Sequence, residues 1–128
     1  MKYRLMDILA CPICKHFHLE LIVFQEKEYP KREVKEQIPL CEIYCSYRNM
    51  EVKKLENPPC QECIKKEVVE GILLCPACGR WYPIIDEIPR MLPDKLRKRD
   101  DDLKFLEKYK MKIPEKVLNE GLPYNIKG

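Results

Sequence analysis

The apolar residues of the chain gather in short runs near its two ends, and a long polar stretch separates them. Residues 19–24 are apolar except for Glu20 and include β-branched side chains, which predicts a strand. Residues 68–74 predict a second strand, with an irregularity at Gly71, and residues 81–85 predict a third. Residues 5–9 predict a short helical turn that leads into Cys11. The pattern therefore indicates a small core built from both ends of residues 1–92.

Residues 86–92 should continue this core beyond a turn. Asp86-Glu87 predicts the turn, and residues 88–92 extend past it. Because Pro83 and Pro89 lack an amide donor, the segment 81–92 is expected at a sheet edge.

The C-terminal residues have a helical pattern. Leu103, Leu106 and Tyr109 recur on one side of a helix that Asp100 or Asp101 could cap. Pro114 suits the first position of a second helix, and Gly121 suits its end. Residues 93–128 are thus predicted to be a helical C-terminal extension.

Residues 25–67 differ from both flanking regions. They are rich in Lys and Glu and contain four prolines and four of the eight cysteines. We interpret them as an insertion with its own local order.

Composition limits the classes of function. The 128 residues carry 24 Lys+Arg and 21 Asp+Glu, a formal net charge of +3, which is no nucleic-acid signature by itself. No apolar run approaches the about 18 residues of a membrane span, and Asp7 interrupts any N-terminal signal sequence. We expect a cytoplasmic protein that does not contact membranes.

The eight cysteines carry the strongest chemical signal. Each has a partner three or four positions away, a spacing typical of metal-binding thiolates rather than of disulfides that close long loops. Cys11-Pro12-Ile13-Cys14 and Cys75-Pro76-Ala77-Cys78 are knuckles of one design, and Gly79 allows a tight turn after the second. Two such knuckles supply the four thiolates of a structural zinc site.

A second zinc site is predicted inside the insertion, from Cys41, Cys45, Cys60 and Cys63. The nested pairing of outer and inner sets is favoured over a serial pairing, in which Cys11/Cys14 would join Cys41/Cys45. His16 and His18 are interpreted as ordinary loop and strand residues. Two four-thiolate zinc sites would change the formal charge from +3 to about −1.

Catalytic constellations are not evident. The sequence offers no Ser-His-Asp arrangement and no glycine-rich phosphate loop, and a redox dithiol would need only one of the two knuckles. A closed four-thiolate zinc site leaves no position for a catalytic water. The sequence predicts a protein that is not an enzyme.

Two segments resemble a known family. Residues 70–92, with Cys75-Pro76-Ala77-Cys78-Gly79-Arg80-Trp81-Tyr82-Pro83 at their centre, are similar to the C-terminal half of the tRNA methyltransferase 112 family, and residues 5–12 are similar to its N-terminal half. The resemblance covers residues 1–24 and 68–92. It implies a zinc-knuckle partner subunit of S-adenosylmethionine-dependent methyltransferases that modify tRNA, rRNA or a translation factor, with RNA reached only through the partner.

The resemblance also implies residue roles. Cys11, Cys14, Cys75 and Cys78 would bind zinc, and the apolar strand from residue 84 would pair with a Rossmann-fold methyltransferase in a heterodimer. The expected partner contacts are Leu5, Leu9, Ile84, Ile85, Ile88, Pro89, Arg90, Met91 and Leu92. The opposing expectation is that the apolar residues of the edge segment fill this chain's own core beneath a C-terminal helix. These residues are Ile84, Ile85, Ile88, Met91 and Leu92. The abundance of Lys, Glu and Ile is a compositional hint of an archaeal source.

The predicted fold is therefore α+β, with a zinc-ribbon or rubredoxin-like knuckle core of antiparallel strands in residues 1–24 and 68–92, the insertion 25–67 and the extension 93–128. Two alternative functions remain. One is direct RNA or DNA binding through Lys95, Arg97, Lys98, Arg99, Arg80 and Trp81, which Asp100–Asp102 would weaken. The other is a rubredoxin-like iron electron carrier.

Overall fold

A four-stranded antiparallel sheet lies at the centre of the computed structural model, which describes residues 1–127. The strands are β1 (Glu20–Glu28), β2 (Tyr44–Cys45), β3 (Met50–Glu51), β4 (Lys66–Leu74), β5 (Trp81–Ile85) and β6 (Ile88–Pro89). The order in the central sheet is β1-β4-β5-β6, and β2 and β3 form a separate hairpin. The α-helices are α1 (Cys60–Cys63), α2 (Arg99–Lys108) and α3 (Glu115–Glu120). Short 3-10 helices cover Tyr3–Asp7, Val52–Lys54, Asp94–Leu96 and Lys110–Lys112. The predicted α+β class is confirmed.

The glycine irregularity in β4 has a steric cause. Gly71 pairs with Val23 of β1, and the register shifts between Val23 and Gln25. A Cβ atom on Gly71 would lie 2.7 Å from the carbonyl oxygen of Ile22. The two backbones approach closely here, so only glycine fits without a shift of β1.

The prediction that the whole segment 81–92 lies at a sheet edge is wrong for β5. β5 lies between β4 and β6, and its Ile84 and Ile85 pair with Pro89 and Ile88. At its other end, the Trp81 amide donates to the carbonyl of Leu122 at 3.1 Å. The Pro83 carbonyl accepts from the Arg90 amide at 2.9 Å. Because the amide and carbonyl of one residue face the same neighbour in an antiparallel pair, the missing donor of Pro83 faces the short β6 side and leaves the ladder with β4 intact. Pro89 does lie on the edge strand, as predicted.

The two faces of the sheet bury different parts of the chain. Leu73, Tyr82 and Ile84 face a core that includes Met6, Cys11 and Cys75. Ile72 and Trp81 face the opposite core, which Phe105 and Leu106 of α2 and Leu118 of α3 complete. Side chains alternate along a strand, so one sheet serves both cores. The cysteine knuckles lie on one face and the C-terminal helices cover the other.

The start of α2 differs from the prediction. The helix begins at Arg99 with Lys98 as its N-cap, and no side chain caps it. Asp100 and Asp101 are exposed in the first turn, where acidic groups favour the helix dipole. Pro114 and Gly121 flank α3 at its N-cap and C-cap positions.

No helix within residues 1–127 combines the length and apolar character that crossing a bilayer would require.

Candidate metal centre

The two knuckles fold in the same way. The Cys11 amide donates to the carbonyl of His16 at 3.0 Å, and the Lys15 amide donates to the Cys11 carbonyl at 2.9 Å. In the second knuckle, the Cys75 amide donates to the Arg80 carbonyl at 2.8 Å and the Gly79 amide to the Cys75 carbonyl at 3.0 Å. Each tight turn therefore directs two thiols to the same side.

The sheet brings the four thiols of these knuckles together. Cys11 follows the N-terminal 3-10 helix, and Cys75 follows β4 directly. The Cys11 and Cys78 sulfurs are 3.7 Å apart, those of Cys14 and Cys75 are 3.4 Å apart, and all four lie within 4.8 Å of one another. A tetrahedral zinc ion with Zn–S bonds of about 2.3 Å requires sulfurs about 3.8 Å apart. The four cysteines fit one zinc ion.

Hydrogen bonds favour the thiolate at Cys11. Burial opposes ionisation, but the amides of Cys14 and Ile13 and the Tyr82 hydroxyl, 3.2 Å from the sulfur, outweigh it and lower the pKa of Cys11 to about 6. At Cys75, burial raises the pKa of the thiol to about 12. Four like charges cannot share this volume unaided, and a divalent cation would supply the balancing charge.

Arg80 adds positive charge beside the cluster. Its Nε and Nη2 donate to the two carboxylate oxygens of Asp94 at 2.9 and 2.8 Å. The hydrogen bonds to Asp94 and to Cys78 raise the pKa of Arg80, so the guanidinium stays charged next to the sulfur. The pair also links the second knuckle to the segment that precedes α2.

The first and last cysteine pairs meet, which is the grouping that the nested scheme predicts for the outer set. Among residues 1–127, the set formed by Cys11, Cys14, Cys75 and Cys78 is the one in which all sulfurs lie within 4.8 Å of one another. Cys41, Cys45, Cys60 and Cys63 line a separate small cavity together. His16 supplies a backbone carbonyl to the first knuckle, and His18 stacks on Tyr44 with 3.8 Å between ring centroids.

The predicted partner contacts fall into three environments. Ile84 is fully buried in this chain's core. Leu5, Leu9 and Met91 are half-buried against the core on the knuckle side, and Ile85 is half-buried against the core that the C-terminal helices cover. Ile88 and Leu92 are 58% and 41% exposed, Arg90 is exposed and Pro89 is half-buried.

The residues predicted for direct nucleic-acid contact are largely unavailable. Trp81 is fully buried, and Arg97 is buried with its Nη1 donating to the Trp81 carbonyl at 2.7 Å. Arg80 is bound to Asp94. Of that set, Lys95, Lys98 and Arg99 are exposed, and the exposed acidic residues Asp100 and Asp101 follow them directly in the chain.

The sequence pattern does not predict the roles of Tyr82 and Asp7. The pattern predicts Tyr82 only as a strand residue, although its hydroxyl lies beside the Cys11 sulfur. Asp7 accepts backbone hydrogen bonds from Glu42, Ile43 and Tyr44 at 2.8, 2.8 and 2.7 Å and so holds the insertion to the N-terminal helix. An isolated Asp carries no signal for such a long-range role, whereas Tyr82 follows a knuckle closely enough to be considered.

These features define a small α+β zinc-knuckle protein with one four-cysteine cluster that could bind one zinc ion. A family model described as Trm112p-like protein matches residues 2–87, roughly two-thirds of the chain. The chain belongs to the Trm112p-like family, whose members are activator partners of methyltransferases. The match runs through the insertion and ends before the C-terminal helices. A search of the curated proteins gives no match.

Proposed function

We propose that this chain is a non-catalytic cytoplasmic subunit that binds, stabilises and activates Rossmann-fold, S-adenosylmethionine-dependent methyltransferases as a heterodimer. The enzymes would modify tRNA, rRNA or a translation factor, and the chain would reach RNA only through them. The partner supplies the cofactor pocket and the chemistry. The family membership supports the class of partner, and the zinc ion held by Cys11, Cys14, Cys75 and Cys78 would stabilise the fold that binds it.

The observation that carries the proposal is a row of exposed apolar side chains at the β6 edge. Ile88, Leu92 and Leu96 are 58%, 41% and 56% exposed along one short segment. Among the strands that the structure describes, β6 has a neighbour, β5, on one side only. An edge strand with apolar side chains and unpaired backbone groups can pair with a strand of a partner.

A groove extends this surface toward α2. It has a volume of about 510 Å³, and its apolar lining comprises Ile85, Leu92, Leu96, Phe105 and Tyr109. Arg90, Lys98, Lys104 and Lys108 line the same groove together with the acidic Glu70 and Asp101, and they give it a charged rim in which basic residues are more numerous. An apolar floor within a charged rim is typical of a protein interface. We call Ile88, Leu92, Leu96 and this groove the edge surface.

Binding at the edge surface would stabilise the methyltransferase by mass action. A partner that binds only the folded enzyme raises its apparent stability by about 2.7 kcal/mol at one hundred times the Kd. Co-purification, enzyme activity and the melting temperature of the enzyme should therefore all depend on the same residues.

The test uses co-expression of the full chain with tagged Rossmann-fold methyltransferases of the same organism. Ile88→Asp should abolish co-purification and activation while the zinc content of the chain is unchanged, because it places a charge in the apolar contact. Ile43→Asp is the matched control, since Ile43 is also 58% exposed but lies in the insertion. A complex that survives Ile88→Asp and is lost with Ile43→Asp would place the interface elsewhere.

A further inference from the structure

The insertion contains four thiols that the cluster of Cys11, Cys14, Cys75 and Cys78 does not use. Cys41 precedes β2, Cys45 lies in β2, and Cys60 and Cys63 are the first and last residues of α1. All four are free cysteines. We propose that they bind a second structural zinc ion, and that this ion holds the insertion together.

The four thiols share one cavity. It measures about 20 Å³ and is otherwise walled by Arg4, Val52 and nearby proline and leucine residues. A volume of this size accommodates about one water-sized particle, which suits a single ion.

Local backbone structure presents the thiols in two pairs. Cys60 and Cys63 lie three residues apart in α1, where side chains share a helix face. The Cys63 amide donates to the Pro59 carbonyl at 2.8 Å, which fixes this turn. Cys45 pairs with Met50 in the β2–β3 hairpin, and Cys41 approaches from the loop before it. Two residues separate Cys60 from Cys63, and three separate Cys41 from Cys45. Both spacings are typical of zinc-binding cysteine pairs.

The sulfurs are more widely spaced than in the first cluster, and they must close around an ion. Rotation about one χ1 angle moves a cysteine sulfur by about 3 Å. Cys41 and Cys63 are only half-buried, so their side chains have room for this movement. Rotation of these two side chains changes the distances from their sulfurs to those of Cys45 and Cys60 without refolding of the segment.

The insertion has a small apolar interior of its own. Between residues 29 and 65 the regular structure amounts to two two-residue strands, one turn of 3-10 helix and the four-residue α1. Only four of these residues are buried, namely Tyr44, Cys45, Val52 and Cys60. Two of the four are cysteines of the proposed site. Such a small apolar interior cannot offset the conformational entropy of ordering the segment, whereas a structural zinc ion contributes folding free energy directly.

The charge around the cavity fits a four-thiolate zinc site, which carries a net charge of −2. Arg4 lines the cavity, and its single ion pair, to Glu36 at 3.7 Å, is long and exposed. The guanidinium is thus free to balance the site. The first cluster has the same arrangement, with Arg80 beside Cys78.

The experiment counts metal in the purified full chain. Zinc per chain is measured by mass spectrometry after gel filtration in chelator-free buffer, and two ions are expected. Cys60→Ser/Cys63→Ser should lose one ion and keep the other, as should Cys14→Ser/Cys78→Ser. Gln61→Ser/Glu62→Ser is the matched control in α1 and should retain both. One ion per chain in the unaltered protein, two ions in Cys60→Ser/Cys63→Ser, or iron instead of zinc would overturn the proposal.

A second measurement does not depend on a folded variant. The unaltered zinc-loaded chain is treated with iodoacetamide, and labelled cysteines are identified by peptide mass mapping. Cys41 and Cys63 are the informative positions, because burial alone does not protect them. Both should remain unlabelled until a strong chelator is added. Rapid labelling of both while zinc is bound to the chain would contradict a second site.

Discussion

Lys15 and Gly79 occupy the same position in the two knuckles, and both have left-handed backbone dihedrals. Each follows the second cysteine of its pair, with φ of 67° at Lys15 and 80° at Gly79. Each amide donates to the carbonyl of the first cysteine. Glycine adopts this conformation without steric cost, whereas lysine is strained in it. The first knuckle therefore carries a strain that the second avoids.

Lys15→Gly should stabilise the protein by about 0.5–1 kcal/mol. The gain is limited, because the lysine Nζ donates to the Pro12 carbonyl at an exposed site and because glycine makes the unfolded chain more flexible. Urea unfolding of the zinc-loaded protein measures the change. A loss of stability would show that the lysine contact outweighs the backbone strain.

Gly79→Ala tests the same conformation in the opposite direction. No atom lies within 4 Å of the added Cβ, so any cost comes from the backbone alone. The expected loss is about 1–2 kcal/mol in the free energy of unfolding, with zinc content unchanged. Unaltered stability would mean that the turn tolerates a side chain at this φ.

Asp7 should link the insertion to the core in a pH-dependent way. Burial raises its pKa, but the three amide donors outweigh burial and leave the pKa below its usual value. A carboxyl with a lowered folded-state pKa contributes stability above its unfolded pKa of about 3.9 and loses it as the pH falls through the folded value. Asp7→Ala should cost about 2 kcal/mol near neutral pH.

Asp7→Asn provides the control for this pH dependence. It retains an acceptor for Ile43 and Tyr44, whose amides share one carboxylate oxygen, but places an NH₂ group against the Glu42 amide. The stability difference between the unaltered protein and Asp7→Asn should shrink as the pH is lowered below 4, measured by urea unfolding. Since zinc ligands protonate in both proteins, the difference isolates Asp7. A difference independent of pH would contradict the role of its charge.

The sequence predicted those features that depend on neighbouring residues. The knuckles, the turn at Asp86-Glu87 and the strand at residues 81–85 follow from local spacing and turn preference, and the structure has them. Both residues of that turn have positive φ, as a tight hairpin turn of this kind requires. Local rules sufficed because the cause of each feature is local.

Features that depend on distant residues were not predictable. From its sequence neighbours, Ile84 is expected to be a surface contact on an edge strand. It is buried instead, because β6 pairs with its strand and because its side chain packs in the core around Met6. Arg97 reads as one charge in a basic run, yet its environment is decided by Trp81 and Asp102. The spacing of these residues along the chain does not predict which distant residues they contact in the fold.

The buried pair of Arg97 and Asp102 should be needed to hold α2 on the sheet. Arg97 Nε donates to Asp102 at 3.0 Å, and its guanidinium lies 4.6 Å from the ring centre of Trp81. Asp102→Ala leaves a buried charge without a partner and should cost about 3–5 kcal/mol in urea unfolding. Asp101→Ala, at an exposed position of the same turn, should change stability by less than about 0.5 kcal/mol.

The double variant Arg97→Met/Asp102→Leu distinguishes a lost partner from lost packing. Both charges disappear together, so no unpaired group remains except the Trp81 carbonyl. Its stability should exceed that of Asp102→Ala, because removing a whole buried pair costs less than breaking it. A double variant less stable than Asp102→Ala would assign the effect to packing against Trp81.

Tyr82 should set the zinc affinity of the first cluster through its hydroxyl. The hydroxyl lies 3.2 Å from the Cys11 sulfur, and burial together with this bond raises the pKa of Tyr82, so the group stays protonated and donates. Tyr82→Phe keeps the ring in the core but removes the donor. Zinc affinity should fall about 10-fold, the lower end of the range for losing a partner of a metal ligand. Competition with a chromophoric chelator at fixed pH measures the zinc affinity.

Tyr29→Phe is the control, since the Tyr29 hydroxyl donates to Glu87 at 2.7 Å instead of to a cysteine sulfur. Equal affinities for the two variants would mean that the backbone amides alone support the Cys11 thiolate.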